Sequence, residues 1–550
     1  MPYNLIDEDW IPVRRLGGAV EVVAPWRITE SYDDDPIVAL AAPRPDFNGA
    51  LLEFLIGLLT TAAAPEDEEA WFDGWAAPPT PETLRAAFAE YRYAFDLDGD
   101  GPRFMQDFDP LNDGNEAPVS ALLIDAPGAQ TLRYNTDHFI KRGRVPVLGR
   151  AAAAMALHTL QTYAPAGGAG NRTSLRGGGP LTTLVVGTGL DAEGKGTETL
   201  WTALWPNVRT RRRIDAELMD PAKNRPEDVF PWLAPTRTSG KKGRNTTPRD
   251  VHPLQAFWGM PRRIRLDFVP ADGDRCALGG GLDGWVVRTY RTRPHGPNYE
   301  GGWRHPLTPY TEQKTGARRQ TGEPLPRHAG PGGVSYRQWL GLVQADDDAH
   351  SERVPAAVVN EFCTHRHRYL KESRGLRLRA FGYDMDKMKP RCWYESTMPP
   401  LVYVEEAHRR DFEIRVKQLI EAAVAAAAAA SRAVKAALYA NPADVKGDFG
   451  AIGERFWRDT ERDFEAALHA LNEAMNNGGD PISLAEDWRG VLRRAAETIF
   501  DDAVDLDALG EGAFKRVVAA RRGLVTTLMG PKIRKILDLP QRKPAEPRTP

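Results

Sequence analysis

The sequence predicts an α+β protein with three parts: a large mixed α/β N-terminal domain over 1–400, an all-α four-helix bundle over 401–538, and a disordered tail over 539–550. Three observations predict it. Short runs in the strand period, at 264–268 and 285–290, are interleaved with helical stretches through the first part. The character changes abruptly at Pro399 and Pro400. Beyond them, 402–440 is one long amphipathic stretch with an alanine-rich middle, a composition that lets helices pack closely.

Taken in order, 11–13 and 20–23 open the chain as two short strands, and 48–63 is an apolar helix. A helix over 151–163 and a strand over 181–186 flank a glycine-rich segment. Charged, loop-like stretches follow at 235–249 (containing TSGKKGRNTTPR) and at 294–333, which is rich in Gly, Pro, Arg and Lys. The segment FGYDMDKMKP at 381–390 reads as a turn-like linker with methionines as gap-fillers. In the helical part, 450–477 is a second helix. Asp480 and Pro481 supply the cap and first-turn proline of a third, which runs to 504. The fourth covers 511–537, with a kink at Gly530 and Pro531. Four helices with short connections predict an antiparallel bundle, and PQRKPAEPRTP at the end is too polar to fold.

The 550 residues suffice for two to four domains. A net charge of −3 excludes a generally basic nucleic-acid coat, so any contact with a polyanion must come from local patches. No N-terminal apolar stretch reads as a signal peptide and no uncharged apolar run reaches a membrane-spanning length, which predicts a soluble cytoplasmic protein. Three cysteines without a CxxC give neither a disulfide framework nor a zinc ribbon. Cys363, His365 and His367 alternate as on one side of an extended strand, but a fourth metal ligand is missing.

The segment APAGGAGNRTSLRGGGPLTTLVV at 164–186 brings six glycines and two arginines together. Glycine allows close approach to the main chain, and Arg172 and Arg176 could fork onto a phosphate or carboxylate. A nucleotide cradle needs a lysine and a helix after its glycines; here Pro180 and a β-branched run follow. A flexible surface loop and a loop laid against nucleic acid both remain open on the residues alone.

Asp96, Asp98, Asp100 and Asp107 nearly spell an EF-hand calcium loop, with Arg103 and two prolines against it, and an acidic turn is the simpler expectation. Five basic clusters stand out: 209–213 (RTRRR), Lys241-Lys242 with Arg244, Arg291 with Arg293, Arg318-Arg319, and 365–379. At a net charge of −3 they imply segregated charge, as in a protein that grips phosphate locally. No nucleophile elbow, HExxH or paired His-Asp array is found, so an enzyme is not indicated and no cofactor or metal is expected.

The opening YNLIDEDWIPV at 3–13 resembles the start of the large subunit family (CasA) of type I-E CRISPR Cascade surveillance complexes. The resemblance continues through RFMQ at 103–106, YNTDHF at 134–139, SLRGGGPLTT at 174–183, FWGMP at 257–261, FGY at 381–383 and the alanine-rich helix ending AALY at 436–439. It implies a non-catalytic DNA reader. Members recognise a protospacer-adjacent motif in duplex DNA from the minor groove and start strand separation and R-loop formation. They also work with guide RNA and the other Cascade subunits and dock a helicase-nuclease, with no membrane involved. Carried onto this chain, the resemblance implies that Gly167, Gly168, Ala169, Gly170 and Asn171 enter the minor groove. Lys387 falls at the wedge position, a basic finger lies in the 290–293 region with Arg291 and Arg293 as candidates, and Tyr134 and Asn135 lie on a loop that meets guide RNA and neighbouring subunits. Two rivals stand beside it: a nucleotide- or metal-dependent enzyme using the glycine loop or the 96–107 loop, and a helical interaction protein whose bundle binds partners.

Overall fold

The helix Pro45–Ala62 is buried almost all round, because its FNGALLEFLIGLLTTA sequence offers no polar face. Phe54 at its centre meets Trp10, Phe95, Phe104, His158 and Trp258, with ring centroids 5.2–6.0 Å apart and steep interplanar angles. Such edge-to-face pairs add to plain burial. The structure, a computed structural model, describes residues 2–540 except 129–130, 132, 135–142, 166, 169, 188, 191–195, 316–319, 322, 331, 348–350, 367–375, 387–388, 401–403, 446–448, 478 and 506–510.

The architecture is mixed α+β with a helical C-terminal region. One unit takes in Met1–Gly330 and Ala345–Glu395, the other Pro331–Gln344 and Ser396–Pro550. In the first, Ile11–Arg15 is the middle strand of an antiparallel sheet, between Val20–Val23 and Ile37–Leu40. A second sheet centres on Trp285–Arg293, which pairs with Arg263–Pro270 along one edge and with Asn115–Pro118 and Leu148–Gly149 along the other. A third sheet carries Thr182–Val186, the strand that leaves the glycine segment, paired with Arg377–Asp386, which is flanked in turn by Lys389–Pro400.

Two loop expectations need correcting. The segment 381–390 is not a linker: its described residues belong to the strands Arg377–Asp386 and Lys389–Pro400. Register pairs such as Phe381 with Thr182 supply the backbone partners that a linker would lack. Within 294–333, Tyr310–Thr315 is a strand held by Ser351–Val354 and Leu325–Pro326. Its sequence YTEQKT alternates, but with few apolar residues to announce it.

In the second unit four long helices pack together. Arg409–Leu438 lies against Gly450–Asn477, Pro481–Ala503 and Phe514–Met529, and Pro481–Ala503 touches the other two. Its alanines at 422, 423, 426, 427, 429, 430, 433 and 437 are buried, and their small side chains set the close approach. The helix expected over 511–537 divides at Gly530 into Phe514–Met529 and Pro531–Ile536, where the proline cannot donate to the preceding turn. Residues 331–344, within the range expected for the first domain, belong to this unit. Tyr336 stacks on Phe464 at 4.3 Å, meets Trp457 edge-on, and its hydroxyl is 2.8 Å from that of Thr460. No helix among the described residues is long and apolar enough to cross a membrane.

Candidate nucleic-acid interface

The buried helix Arg150–Tyr163 ends where Ala164 donates its N–H to the carbonyl of Leu160. The chain then leaves the core as a loop pinched at its base: the Gly179 N–H donates to the Tyr163 carbonyl at 2.8 Å. Gly178 passes so close to Pro165 that a Cβ there would sit 2.6 Å from its Cα. Glycine is required at this crossing by space alone.

At the tip, Gly167 and Gly168 are exposed. Gly168 has φ +81°, and a Cβ built on it meets nothing within 4 Å. Asn171 closes the turn, its N–H on the Gly168 carbonyl at 3.2 Å and its side-chain amide on the Gly167 carbonyl. Gly170 shares φ +81°, but a Cβ there would strike Pro294 at 2.7 Å and the His295 ring at 3.0 Å. The His295 N–H also donates to the Gly170 carbonyl at 2.7 Å. So the loop has one glycine packed against the protein and another facing open space. Ala169 lies outside the described residues.

Two arginines flank the loop without an acidic partner among the described residues. Arg172 donates to the Ser239 hydroxyl at 3.0 Å and its carbonyl at 3.4 Å. Arg262 donates to the Pro165 carbonyl, and its Nη1 lies 3.8 Å from a Cβ built on Gly167. Its Nε has no hydrogen-bond partner among the described residues. Burial pushes the Arg262 guanidinium down to about 10, which still leaves it cationic at neutral pH. In the sequence the one local signal for Arg262 is the PRR run at 261–263.

Arg176, expected beside Arg172 as an anion fork, is instead consumed in the core. It is 2% exposed and pairs with Glu53 at 2.5 Å, with Thr182 and Thr308 hydroxyls at 3.1 Å. The Tyr163 and Thr182 hydroxyls complete the satisfaction of Glu53. This network ties the helix Pro45–Ala62 to the root of the glycine loop.

The strand Trp285–Arg293 runs into Pro294 and His295, and so delivers the finger candidates toward the loop. Both are ion-paired: Arg291 with Asp267 at 2.7 Å, and Arg293 with Asp113. Asp386 ends its strand immediately before Lys387, which lies outside the described residues. Met385, on that strand, packs beside Gly179, where a Cβ would lie 2.7 Å from its Cγ. The end of the strand Arg377–Asp386 thus passes the root of the glycine loop just before position 387. Tyr134 is 65% exposed, with the Arg133 guanidinium 5.8 Å from its ring, and Asn135 lies outside the described residues.

The expectation of five segregated basic clusters is corrected in part, and Arg318, Arg319 and 367–375 lie outside the described residues. Arg209 is buried against Glu217 and Glu361, Arg212 meets Glu66 and Asp67, and Arg213 meets Glu68. Arg379 pairs with Glu395. Much of the basic charge is therefore neutralised within the fold. The acidic 96–107 loop is likewise occupied: Asp107 is fully buried and pairs with Arg263 at 2.5 Å, while Asp98 accepts from the Tyr3 N–H at 2.6 Å. Cys363 and His365 lie on a π-helical turn, Phe362–Arg366, not on one side of a strand, and His367 is outside the described residues. Among the described residues no group of three or more His, Cys, Asp or Glu could hold a metal ion.

The geometry defines an α+β protein that presents an open glycine loop, flanked by two arginines without acidic partners among the described residues, from a buried aromatic core. The pattern of the CRISPR-associated protein Cse1 family matches residues 4–499, and the chain belongs to that family. A curated relative, the CRISPR-associated protein CasA/Cse1 of Thermus thermophilus, is 27% identical over 279 residues. That match covers 50% of this chain and 48% of the relative, so the chain spans about half the length of the curated relative it matches. Among solved structures, Cse1 from Acidimicrobium ferrooxidans superposes with TM-score 0.67 and 18% identity, over 97% of this chain and 99% of that one. Thermobifida fusca Cse1 gives TM-score 0.67 and 17% identity over 97% and 98%. A chain of a CRISPR RNA-guided surveillance complex gives 0.64 and 17% over 96% and 100%. At these identities the likeness is one of fold.

Proposed function

We propose that this chain is the non-catalytic large subunit of a type I-E CRISPR surveillance complex, and that it reads a short motif in duplex DNA from the minor groove through its glycine loop. Membership of the Cse1 family supports the subunit role. The observation that carries the motif-reading role is Gly168: exposed, at φ +81°, with open space where a side chain would stand. A minor groove about 6 Å wide admits backbone but few side chains. Arg172 and Arg262 supply positive charge at the rim of such a groove.

In this reading Lys387, which follows the strand end Asp386, wedges apart the base pairs next to the motif and starts R-loop formation. Tyr134 and Asn135 face guide RNA or a neighbouring subunit, and the complex docks a helicase-nuclease. Arg291 and Arg293 would have to leave Asp267 and Asp113 to act as fingers, which favours Arg262 as the cation nearest the groove.

The test is target binding by the assembled guide-RNA complex. Motif-bearing duplexes are selected from a randomised library with wild-type complex, then bound by complex carrying Gly168→Asp. The carboxylate has room within the protein but would face the groove and its phosphates. Motif preference should vanish while the fold persists; unchanged target affinity would overturn the proposal.

A further inference from the structure

Among the described residues of the five basic clusters, one group differs in its surroundings; Arg318, Arg319 and 367–375 lie outside the described residues. Lys241, Lys242 and Arg244 are all exposed, and none has an ion-pair partner among the described residues. They sit on a tight turn, closed by the Gly243 N–H on the Gly240 carbonyl at 2.7 Å and the Arg244 N–H on the Thr238 carbonyl at 3.1 Å. Gly243 is needed there, since a Cβ would lie 1.9 Å from the Thr238 carbonyl oxygen.

The turn is also fastened to the glycine loop. Ser239 donates its N–H to the His295 carbonyl at 3.1 Å, while the His295 N–H donates to Gly170 at 2.7 Å. The Ser239 hydroxyl accepts from Arg172 at 3.0 Å and donates to the Gly296 carbonyl at 2.7 Å. One residue, His295, thus bridges the backbones of both loops, and Arg172 joins them a second time. The three cations are therefore carried at a fixed place beside the loop rather than on an independent arm.

We propose that the 238–244 turn is a second DNA contact, in which Lys241, Lys242 and Arg244 hold the sugar–phosphate backbone of the duplex whose minor groove the glycine loop enters. The inference rests on the groove-reading role proposed above. Any element entering a minor groove has a phosphate strand on each side within a few ångströms. Unpaired, exposed lysines next to that element meet those phosphates without first breaking an internal ion pair. Such contacts position the protein and carry no sequence information. They add affinity for any duplex and leave the choice of motif to the glycine loop.

The experiment uses the assembled guide-RNA complex and fluorescent duplexes, one carrying the selected motif and one with it scrambled, titrated from 50 to 200 mM salt. Loss of three phosphate contacts should lower the slope of log affinity against log salt by about 2.7, so that wild type loses about 40-fold more affinity over this range than Lys241→Ala/Lys242→Ala/Arg244→Ala. The triple variant should weaken both duplexes alike and keep the ratio between them. Lys241→Arg/Lys242→Arg/Arg244→Lys, which retains the charge, should keep the wild-type slope. An unchanged slope in the alanine variant overturns the proposal. So does a complex that fails to retain guide RNA, which would assign the cations to RNA. Gly168→Asp, run in parallel, separates the two claims. If it binds as wild type, the groove-reading role fails; if it loses motif preference while the triple variant matches wild type, only the turn contact falls.

Discussion

Alanine at position 168 and alanine at position 170 meet the same backbone, φ +81° at both, in different surroundings. The left-handed conformation costs either alanine about 1 kcal/mol. At 168 nothing further is added, because the new Cβ has no neighbour within 4 Å. At 170 the Cβ lies 2.7 Å from the Pro294 Cβ and 3.0 Å from the His295 ring, and relieving that overlap costs about 1–3 kcal/mol more. Urea unfolding of the purified chain, followed by tryptophan fluorescence, should therefore show a loss of about 1 kcal/mol for Gly168→Ala and roughly 2–4 kcal/mol for Gly170→Ala. Target binding by the assembled complex should show that the milder variant still loses motif affinity, since its methyl group projects where the groove floor would lie. Equal destabilisation by the two variants would refute the reasoning, as would a Gly168→Ala complex that binds like wild type.

Other outcomes follow from the same geometry. Arg176→Met leaves Glu53 buried without its cation and should destabilise the first unit by about 3–5 kcal/mol in the same unfolding assay, whereas Arg176→Met with Glu53→Gln should recover much of that loss. Burial pushes His158 down to about 3, so the unfolded chain gains a proton there as pH falls below about 6.5 while the folded chain does not. The resulting stability is complete above pH 6.5 and is lost on acidification toward 3. Between pH 6.5 and 5 it should fall by about 2 kcal/mol, and His158→Gln should flatten the urea-derived pH profile by that amount. Tyr336→Phe removes the bond to Thr460 and should speed hydrogen exchange in 331–344, matching a loss of about 1 kcal/mol. Lys387→Ala should slow duplex opening more than initial binding, read by base-analogue fluorescence next to the motif; unaltered opening rates would remove the wedge.

Local pattern carried much of the fold. The strands Ile11–Arg15, Val20–Val23 and Thr182–Val186 and the helices Pro45–Ala62 and Arg150–Tyr163 appear where periodicity put them, within a few residues. Several residues in the family-resembling motifs are core residues: Trp10, Phe104 and Trp258 are fully buried. What stayed hidden depended on distant partners. Arg176 looked like a ligand fork because its partner, Glu53, lies 123 positions away. Tyr310–Thr315 lacked apolar alternation because its partner Ser351–Val354 is equally polar and their pairing is through the backbone. Arg262 stayed hidden because its place beside the loop is set by the Pro165 carbonyl, 97 positions away in the chain. The basic clusters looked alike in sequence, and among the described residues only their acidic neighbours told them apart.

The central claim, that the glycine loop reads the minor groove, is tested most directly by editing that groove alone. Guanines in a selected motif are replaced by inosine, which removes the minor-groove 2-amino group, or by 7-deazaguanine, which alters only the major-groove edge. Bound by the assembled wild-type complex, the inosine duplex should change affinity several-fold and the 7-deazaguanine duplex should not, with the inosine effect absent in Gly168→Asp. Sensitivity to 7-deazaguanine and indifference to inosine would contradict the account.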